Sequence, residues 1–550
     1  MVFLVKKIVK GNTYLYLEER AWINGKSKRL WQKYLGSEDK IKEYFKPITR
    51  PEYTITTLDF GLPVALMNLI KKLDLIKIIN DCSNKRAQGL SLGHYLVLAA
   101  LNRCVKPTSK AKIRRWFEHT ALLDEFPSIE TYLDSMAYTN HFKYINPEVI
   151  EKIEARIHEK LLMKFGMEMK TLFYDPTNFF TYINPKLDME LPNHGHSKDG
   201  RFTLNLVGLT LFCTHDGGLP IMHEVYPGNI QDAPLFRDEL KRIFKRLKVI
   251  GVKNEELCLV FDKGNISPKA FDQINDSGIR FICSIRPSTQ KDLLELPASK
   301  FTLEMLPNGK KIGVLEFEYK KYGENHRLFV VYNPNQREWQ ENNLKKKLEK
   351  RLLEVNEWFK DRLNVNKWRE PKNVEKKIRD IIKTKAYFNW IKYSVSGIYA
   401  KVNYSVEIDK DALDAHLDTL GKTFILTNHP TMKPLEVTWL YRQQYTVERA
   451  FSYIKAPTML SIRPQYCHTD DSIRGHSFTC VLGLLLLTLL TREIRRNYKE
   501  MSLPKIVETL SEIELAIIKY EGTGKSIKKM VEISKEALNL SKFLKLDEYL

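Results

Sequence analysis

The chain has 550 residues, 43% of them hydrophobic and 11% aromatic. That suffices for two or three domains with sizeable cores and excludes a disordered chain. A formal net charge of +21 favours a polyanionic partner, nucleic acid first; a soluble protein that is merely lysine-rich is the alternative, and charge alone does not choose between them. Seven cysteines, odd in number and without a Cys-x-x-Cys pair, point to free thiols in a reducing compartment. No signal peptide is read at Met1, and the longest apolar run, 480–490, is too short to span a bilayer. A soluble, cytoplasmic, nucleoid-associated protein without a membrane partner is expected.

Residues 1–50 read as a small β meander, with segments 2–9, 13–17 and 27–34 rich in β-formers and Gly-Asn and Asn-Gly turns between them. Residues 51–165 turn helical, over 64–73, 91–101 and 147–165. Within them 106–115 concentrates cations that either meet phosphates or form a solvated helix face. Residues 166–286 change character. A short apolar strand, 170–174, ends in Asp175; 202–212 and 219–225 are further strands, closed by Pro227-Gly228-Asn229; 232–247 is a helix; 257–261 is a buried strand ending in Asp262; a helix at 268–277 and a strand at 280–285 follow. This is a mixed α/β sheet flanked by helices. Residues 287–415 interrupt it as an α+β insertion: strand-like sequence over 301–331 with turns at Asn308-Gly309 and Tyr322-Gly323, charge-dense helices over 338–385, then strands over 387–406. Residues 416–500 resume the core, with a strand at 423–426, a helix at 437–455 and an apolar helix at 478–498. Residues 501–550 read as amphipathic helices.

Three acids stand out by position. Asp175 and Asp262 close strands, where sites form in open α/β sheets. Glu448 sits in a stripe of three-and-four spacing, Tyr441, Gln444, Glu448, Phe451 and Lys455, that gives one face of a helix. Each acid alone is more often a turn or a cap; together they suit phosphodiester chemistry. Two Mg2+ ions about 4 Å apart can neutralise the attacking and leaving oxygens, and magnesium keeps several waters, so three carboxylates suffice. Lys198 and Arg201 are candidates to reach a phosphate near Asp175, with a salt-bridge or solvent role as the alternative. Asn178, Asn265 and Thr177 either orient the carboxylates or shape turns. Arg463 and His476 are read as phosphate contacts or helix-docking groups. Cys467, His468, His476 and Cys480 match no common zinc module, and packing is expected of them. No P-loop is present, so ATP use is not expected.

Several motifs occur in a fixed order: Tyr174-Asp-Pro-Thr-Asn-Phe179, Gly195-His-Ser-Lys-Asp-Gly-Arg201, Pro227-Gly-Asn-Ile-Gln-Asp232, Phe261-Asp-Lys-Gly-Asn265, Tyr441…Glu448…Lys455, Ser461-Ile-Arg-Pro-Gln-Tyr466 and Ile473-Arg-Gly-His476. In these the chain, over most of 1–500, resembles the bacterial and archaeal insertion-sequence transposases of the DDE class, the group with a Tyr-Arg-Glu-Lys signature and an insertion before the glutamate. The resemblance implies an RNase H-like, retroviral-integrase-like core with Asp175, Asp262 and Glu448 as catalytic metal ligands, and two Mg2+ ions, with Mn2+ as an alternative. It implies cut-and-paste transposition through a DNA hairpin, double-stranded DNA as partner (the terminal inverted repeats of its own element, read by 51–165, and target DNA), and a homodimer on DNA. Tyr441, Gln444, Lys455, Lys198, Arg201 and Arg463 are the expected DNA contacts. Gln444 departs from the signature, which carries arginine there. A catalytically impaired DNA-binding relative, or a nuclease without strand transfer, are the alternatives.

Overall fold

The structure, a computed structural model, describes residues 2–45, 53–84, 89–126, 133–183, 188–249, 252–321, 323–382, 385–463, 465, 467–520, 525–532 and 534–550. The expected boundary at 50–51, the Tyr322 turn residue, and Pro464 and Tyr466 of the Ser461 motif lie outside the described residues.

The chain divides into two compact units. The first holds residues 1–58 and 515–531 with Leu550. Its meander is Val2–Val9, Asn12–Ile23 and Lys26–Ser37, paired antiparallel. The two-residue turns form because Lys10-Gly11 and Asn24-Gly25 all take positive φ, the geometry that matches strand twist. Glu18, nearly buried, is clamped by Lys7, Arg20 and Arg29. A second small sheet pairs Tyr53–Asp59 with Glu514–Tyr520, which pairs with Ser526–Val531. The expectation of helices throughout 503–540 is therefore corrected: a hairpin separates the helices Leu503–Ser511 and Lys535–Phe543. Ala516, Ile517 and Ile518 are apolar without helical spacing, and their partner strand, Tyr53–Asp59, is remote in sequence.

The second unit holds residues 59–514 and 532–549. At its centre is a nine-stranded sheet made of β1 (Thr171–Thr181), β2 (Asn205–Thr214), β3 (Pro220–Pro227), β4 (Cys258–Phe261), β5 (Arg280–Ile285), β6 (Leu303–Met305), β7 (Lys311–Lys321), β8 (Glu324–Tyr332) and β9 (Lys422–Thr427). The spatial order is β6-β7-β8-β9-β5-β4-β1-β2-β3. β1, β2 and β3 form an antiparallel meander, β4 runs parallel to β1, and β5 parallel to β4. The helices Asp232–Val249 and Pro268–Ser277 lie in the crossovers into β4 and β5.

Two expectations change here. β1 does not stop at Asp175 but runs on to Thr181, because β2 pairs along its whole length. Pro176 is tolerated because β4 ends its pairing at Phe173, leaving that edge without a ladder to break. The strands within 301–331 extend the large sheet through β8–β9 pairing instead of belonging to a separate insertion. What remains between β8 and β9 has its own core. Leu348, Val355 and Phe359 of the helix Pro334–Phe359 pack with Val374 and Ile378 of Pro371–Ile382, Ile391 and Val402 of the hairpin Ile391–Ile398 and Lys401–Ile408, and Leu413 of Lys410–Leu417.

Among the described residues one helix, Asp470–Arg495, is long and apolar enough to cross a membrane, but 89% of its apolar window is buried inside the protein. It is a central core helix, as its apolar sequence leads one to expect. All seven cysteines are free and buried.

Candidate active site

Aromatic packing aims the two aspartates. Tyr174 and Phe261 immediately precede Asp175 and Asp262, and both rings pack at a tilt against Phe236 of the helix Asp232–Val249, each at 4.7 Å between centroids. Successive strand side chains point to opposite faces, so burying Tyr174 and Phe261 turns Asp175 and Asp262 the other way. The register completes the alignment. Phe173 pairs with Val260; Asp175 follows that pair by two residues within β1, and Asp262 follows it by two residues just past the end of β4. Tyr226 fixes the other flank: its ring lies across Gly208, where a Cβ would meet ring atoms at 2.1 Å, and its hydroxyl donates to the Thr177 carbonyl at 2.9 Å.

The carboxylates differ in environment. Burial, first, pushes the Asp175 carboxyl up to about 7; Lys198 opposes this, and the negative charges of Asp232, Glu448 and Asp262 add to it. Asp262 Oδ1 accepts from Ser284 Oγ at 2.8 Å and from Tyr441 Oη at 3.3 Å. Burial raises the Tyr441 hydroxyl, so it stays a donor. Glu448 is exposed on the helix Tyr445–Lys455, close enough to act electrostatically on Asp175. Asp232 is a member that sequence reading left in a turn motif; it opens its helix and binds Lys198 at 3.1 Å. The donors are all carboxylate oxygens, which suit a hard divalent cation and not zinc. Among the described residues no three His, Cys, Asp or Glu side chains yet stand close enough to hold one ion.

The single helix expected over 437–455 is instead two, Pro434–Arg442 and Tyr445–Lys455, joined by a tight turn in which Val447 N–H bonds back only to Gln444. Gln444, an expected DNA contact, is buried in that turn. The stripe survives the break. Tyr441 reaches Asp262, Glu448 faces Asp175, and Lys455 Nζ donates to Thr177 Oγ1 at 2.9 Å, to the Asn178 carbonyl at 2.7 Å and to Asp199 at 3.2 Å. Burial lowers the Lys455 ammonium, with Asp199 opposing. Lys455 is thus an internal clamp along β1.

The remaining candidates fall into two groups. Lys198 Nζ donates to the Pro176 carbonyl at 2.7 Å and stays beside Asp175. Arg201 and Arg463 flank the Phe180 ring at 5.8 and 5.3 Å, and Arg463 binds Asp199 at 2.6 Å. Asn178 pins the loop through the His196 carbonyl and Lys198 N–H, at 2.8 and 3.0 Å. Asn265 donates to the Asp262 carbonyl at 3.4 Å. Both asparagines therefore shape backbone and touch neither carboxylate. His476, half-buried, donates from Nε2 to the Ile462 carbonyl at 3.2 Å, which makes it a helix-docking group.

Comparison with known proteins identifies the family. The family described as "Transposase DDE domain" matches residues 186–486, more than half of the chain. The match takes in Asp262 and Glu448 and begins just past β1. The chain belongs to the DDE transposase family. Among solved structures, it is similar to the cryo-EM structure of a piggyBac transposase synaptic complex with hairpin DNA, over 84% of this chain and 82% of that one, at 9% identity and a TM-score of 0.36. No curated protein matches it.

Proposed function

We propose that the chain is a cut-and-paste DNA transposase of the insertion-sequence type, with Asp175, Asp262 and Glu448 as the ligands of two divalent ions, Mg2+ or Mn2+. The observation that carries the reading is that Asp175 and Asp262 each lie two residues beyond the paired Phe173 and Val260 of adjacent parallel strands, with Glu448 near enough to raise the Asp175 carboxyl. The strand order β3-β2-β1-β4-β5 supports an RNase H-like core. Bound between these carboxylates, the ions would neutralise charge on the attacking and leaving oxygens of a phosphodiester.

The protein's own groups prepare that cleft. Ser284 and Tyr441 orient Asp262 by donating to one oxygen, leaving the other free. Lys198 balances part of the carboxylate charge before the ions arrive. Lys455 and Asn178 hold β1 and the 196–199 loop together. In the reaction, water attacks the phosphorus at the transposon end and the 3′ oxygen leaves. That 3′ hydroxyl then attacks a phosphorus of the opposite strand, forming the hairpin bond as the flanking DNA's 3′ oxygen leaves; a second water opens the hairpin and restores the 3′ hydroxyl, which attacks a target phosphorus as a target 3′ oxygen leaves. Two ends must be paired, so a homodimer on DNA is part of the proposal.

The test is incubation with Mg2+ and DNA carrying the inverted repeats that flank its own gene. Excision and strand joining are expected from the native chain, and neither from Asp262→Ala. Binding without cleavage overturns the reading in favour of an inactive DNA-binding relative; cleavage without joining overturns it in favour of a nuclease.

A further inference from the structure

A second cavity of about 360 Å³ lies beside the catalytic cleft, between the helical region and the segment that follows Lys455. Arg103, Lys110 and Arg463 line it, with Phe142, Gln465 and Ser109. Among the described residues that line it there is no aspartate or glutamate. Arg103, at the end of the helix Leu92–Val105, donates to neutral acceptors only: the carbonyls of Thr108 and Ser461 and the side chain of Asn102. Burial lowers the Arg103 guanidinium. Lys110 lies over the Phe142 ring at 5.0 Å and has no carboxylate partner among the described residues. Arg463 shares Asp199 with Lys455, one carboxylate between two cations.

A recess with three cations and no acid is electrostatically incomplete. Arg103 and Lys110 have no carboxylate partner among the described residues, and the neutral acceptors on Arg103 explain its position but leave its charge uncompensated. Gln465 adds an independent pointer. It is 1% exposed, and its Oε1 has no hydrogen-bond partner. A half-turn of the amide, equivalent in shape, lets Oε1 accept from Ser477, which Nε2 now contacts at 3.4 Å, and turns two N–H donors toward the cavity. The hydroxyl of Ser109 stands at its rim.

We infer that this cavity is an anion site that takes a backbone phosphate of the DNA strand running out of the catalytic cleft, held by Arg103, Lys110 and the Gln465 amide. The inference rests on the proposed DNA substrate and extends it to a site away from the acids. The acids and the cavity are linked through β1 and the segment that follows Lys455. Asp175 lies on β1, Lys455 grips Thr177 and Asn178 further along, and Arg463 covers Phe180 at the strand's far end.

The experiment measures affinity of the full chain for a duplex carrying its own inverted repeat, without Mg2+, over a range of salt, for the native chain, Lys110→Gln and Lys110→Arg. Each phosphate contact contributes about 0.9 to the slope of log affinity against log salt. Lys110→Gln is expected to lose about that much slope, Lys110→Arg to keep it, and both to melt with the native chain. A methylphosphonate scan of the strand is expected to show a sensitive position away from the cleaved bond in the native chain and none there in Lys110→Gln. An unchanged slope with an unchanged scan overturns the inference. So does a rise in melting temperature with inorganic phosphate, over chloride of equal ionic strength, that Lys110→Gln abolishes; that result makes the cavity a free-phosphate site. Cleavage by the native chain, followed on the same DNA after Mg2+ is added, reports on the proposed function separately.

Discussion

Asp262 receives two hydroxyls on one oxygen, from Ser284 at 2.8 Å and from Tyr441 at 3.3 Å, and that pair decides which lone pairs remain for a ligand. Removing the Tyr441 hydroxyl leaves the ring packed and the shorter Ser284 bond intact. A neutral donor to a charged acceptor at this length is worth about 1 kcal/mol, which is about fivefold in rate when felt in full at the transition state. Tyr441→Phe is therefore expected to fold normally and to cleave DNA about fivefold more slowly, with the salt slope of DNA binding unchanged. A changed slope with an unchanged rate returns Tyr441 to the DNA-contact role that its position in the sequence suggests. At this scale the sequence exposed the acids and the stripe but not their partners. Asp262 meets Ser284 and Tyr441 only because β5 and the helix Pro434–Arg442 come beside β4, and Asp232 joins them only because a helix begins there. Gln444 looked like a surface group because helical spacing was extrapolated across a turn that spacing does not reveal.

The elements that carry the site are held by aromatic contacts one residue behind it. Phe236 touches Tyr174 and Phe261 together, so it ties β1 to β4 through the residues preceding both aspartates. Truncating a buried phenylalanine costs about 3–5 kcal/mol. Phe236→Ala is expected to lower the unfolding free energy in urea by about that amount. It is also expected to reduce cleavage well below the native rate at temperatures where the variant is still folded, because the placement of Asp175 and Asp262 loosens. Full cleavage activity in a destabilised Phe236→Ala would mean that the register is set by the strand ladder alone. The strands bearing the aspartates were legible from their apolar runs, as was the strand at 423–426. The length of β1 was not, because Pro176 reads as a terminator until β4 is known to stop short of it. The strand Glu514–Tyr520 was not legible either, since its partner, Tyr53–Asp59, lies at the other end of the sequence. The strands at 311–332 were visible as strands, but nothing local says that β9 will take β8 as its neighbour.

Across the whole molecule, buried ionisable groups outside the cleft make stability depend on pH in two opposed windows. Glu239 lies under β2 with Thr210 Oγ1 donating to it at 3.0 Å, and Glu224, Arg242 and Tyr174 nearby; burial, the largest influence, pushes its carboxyl up to about 8 from an ordinary 4.5. The folded chain keeps this proton between those values and the unfolded chain gives it up, so the contribution is full below 4.5 and is lost as pH rises to about 8. His158 is the reverse. Burial lowers it to about 4 from 6.5, against the opposing influence of Glu154 and the Ile221 backbone and with Arg246 adding to it. The unfolded chain takes up a proton that the folded one refuses, so stability is lost as pH falls from 6.5 toward 4. Differences between variants isolate each group. Glu239→Gln keeps the Thr210 hydrogen bond and removes the titration, so its urea midpoint is expected to rise steadily relative to the native chain between pH 4.5 and 8. His158→Gln is expected to gain on the native chain only below pH 6.5. A Glu239→Gln difference that stays flat over that range would mean that Glu239 ionises in the folded protein as an exposed carboxylate does, with water reaching the space beneath β2.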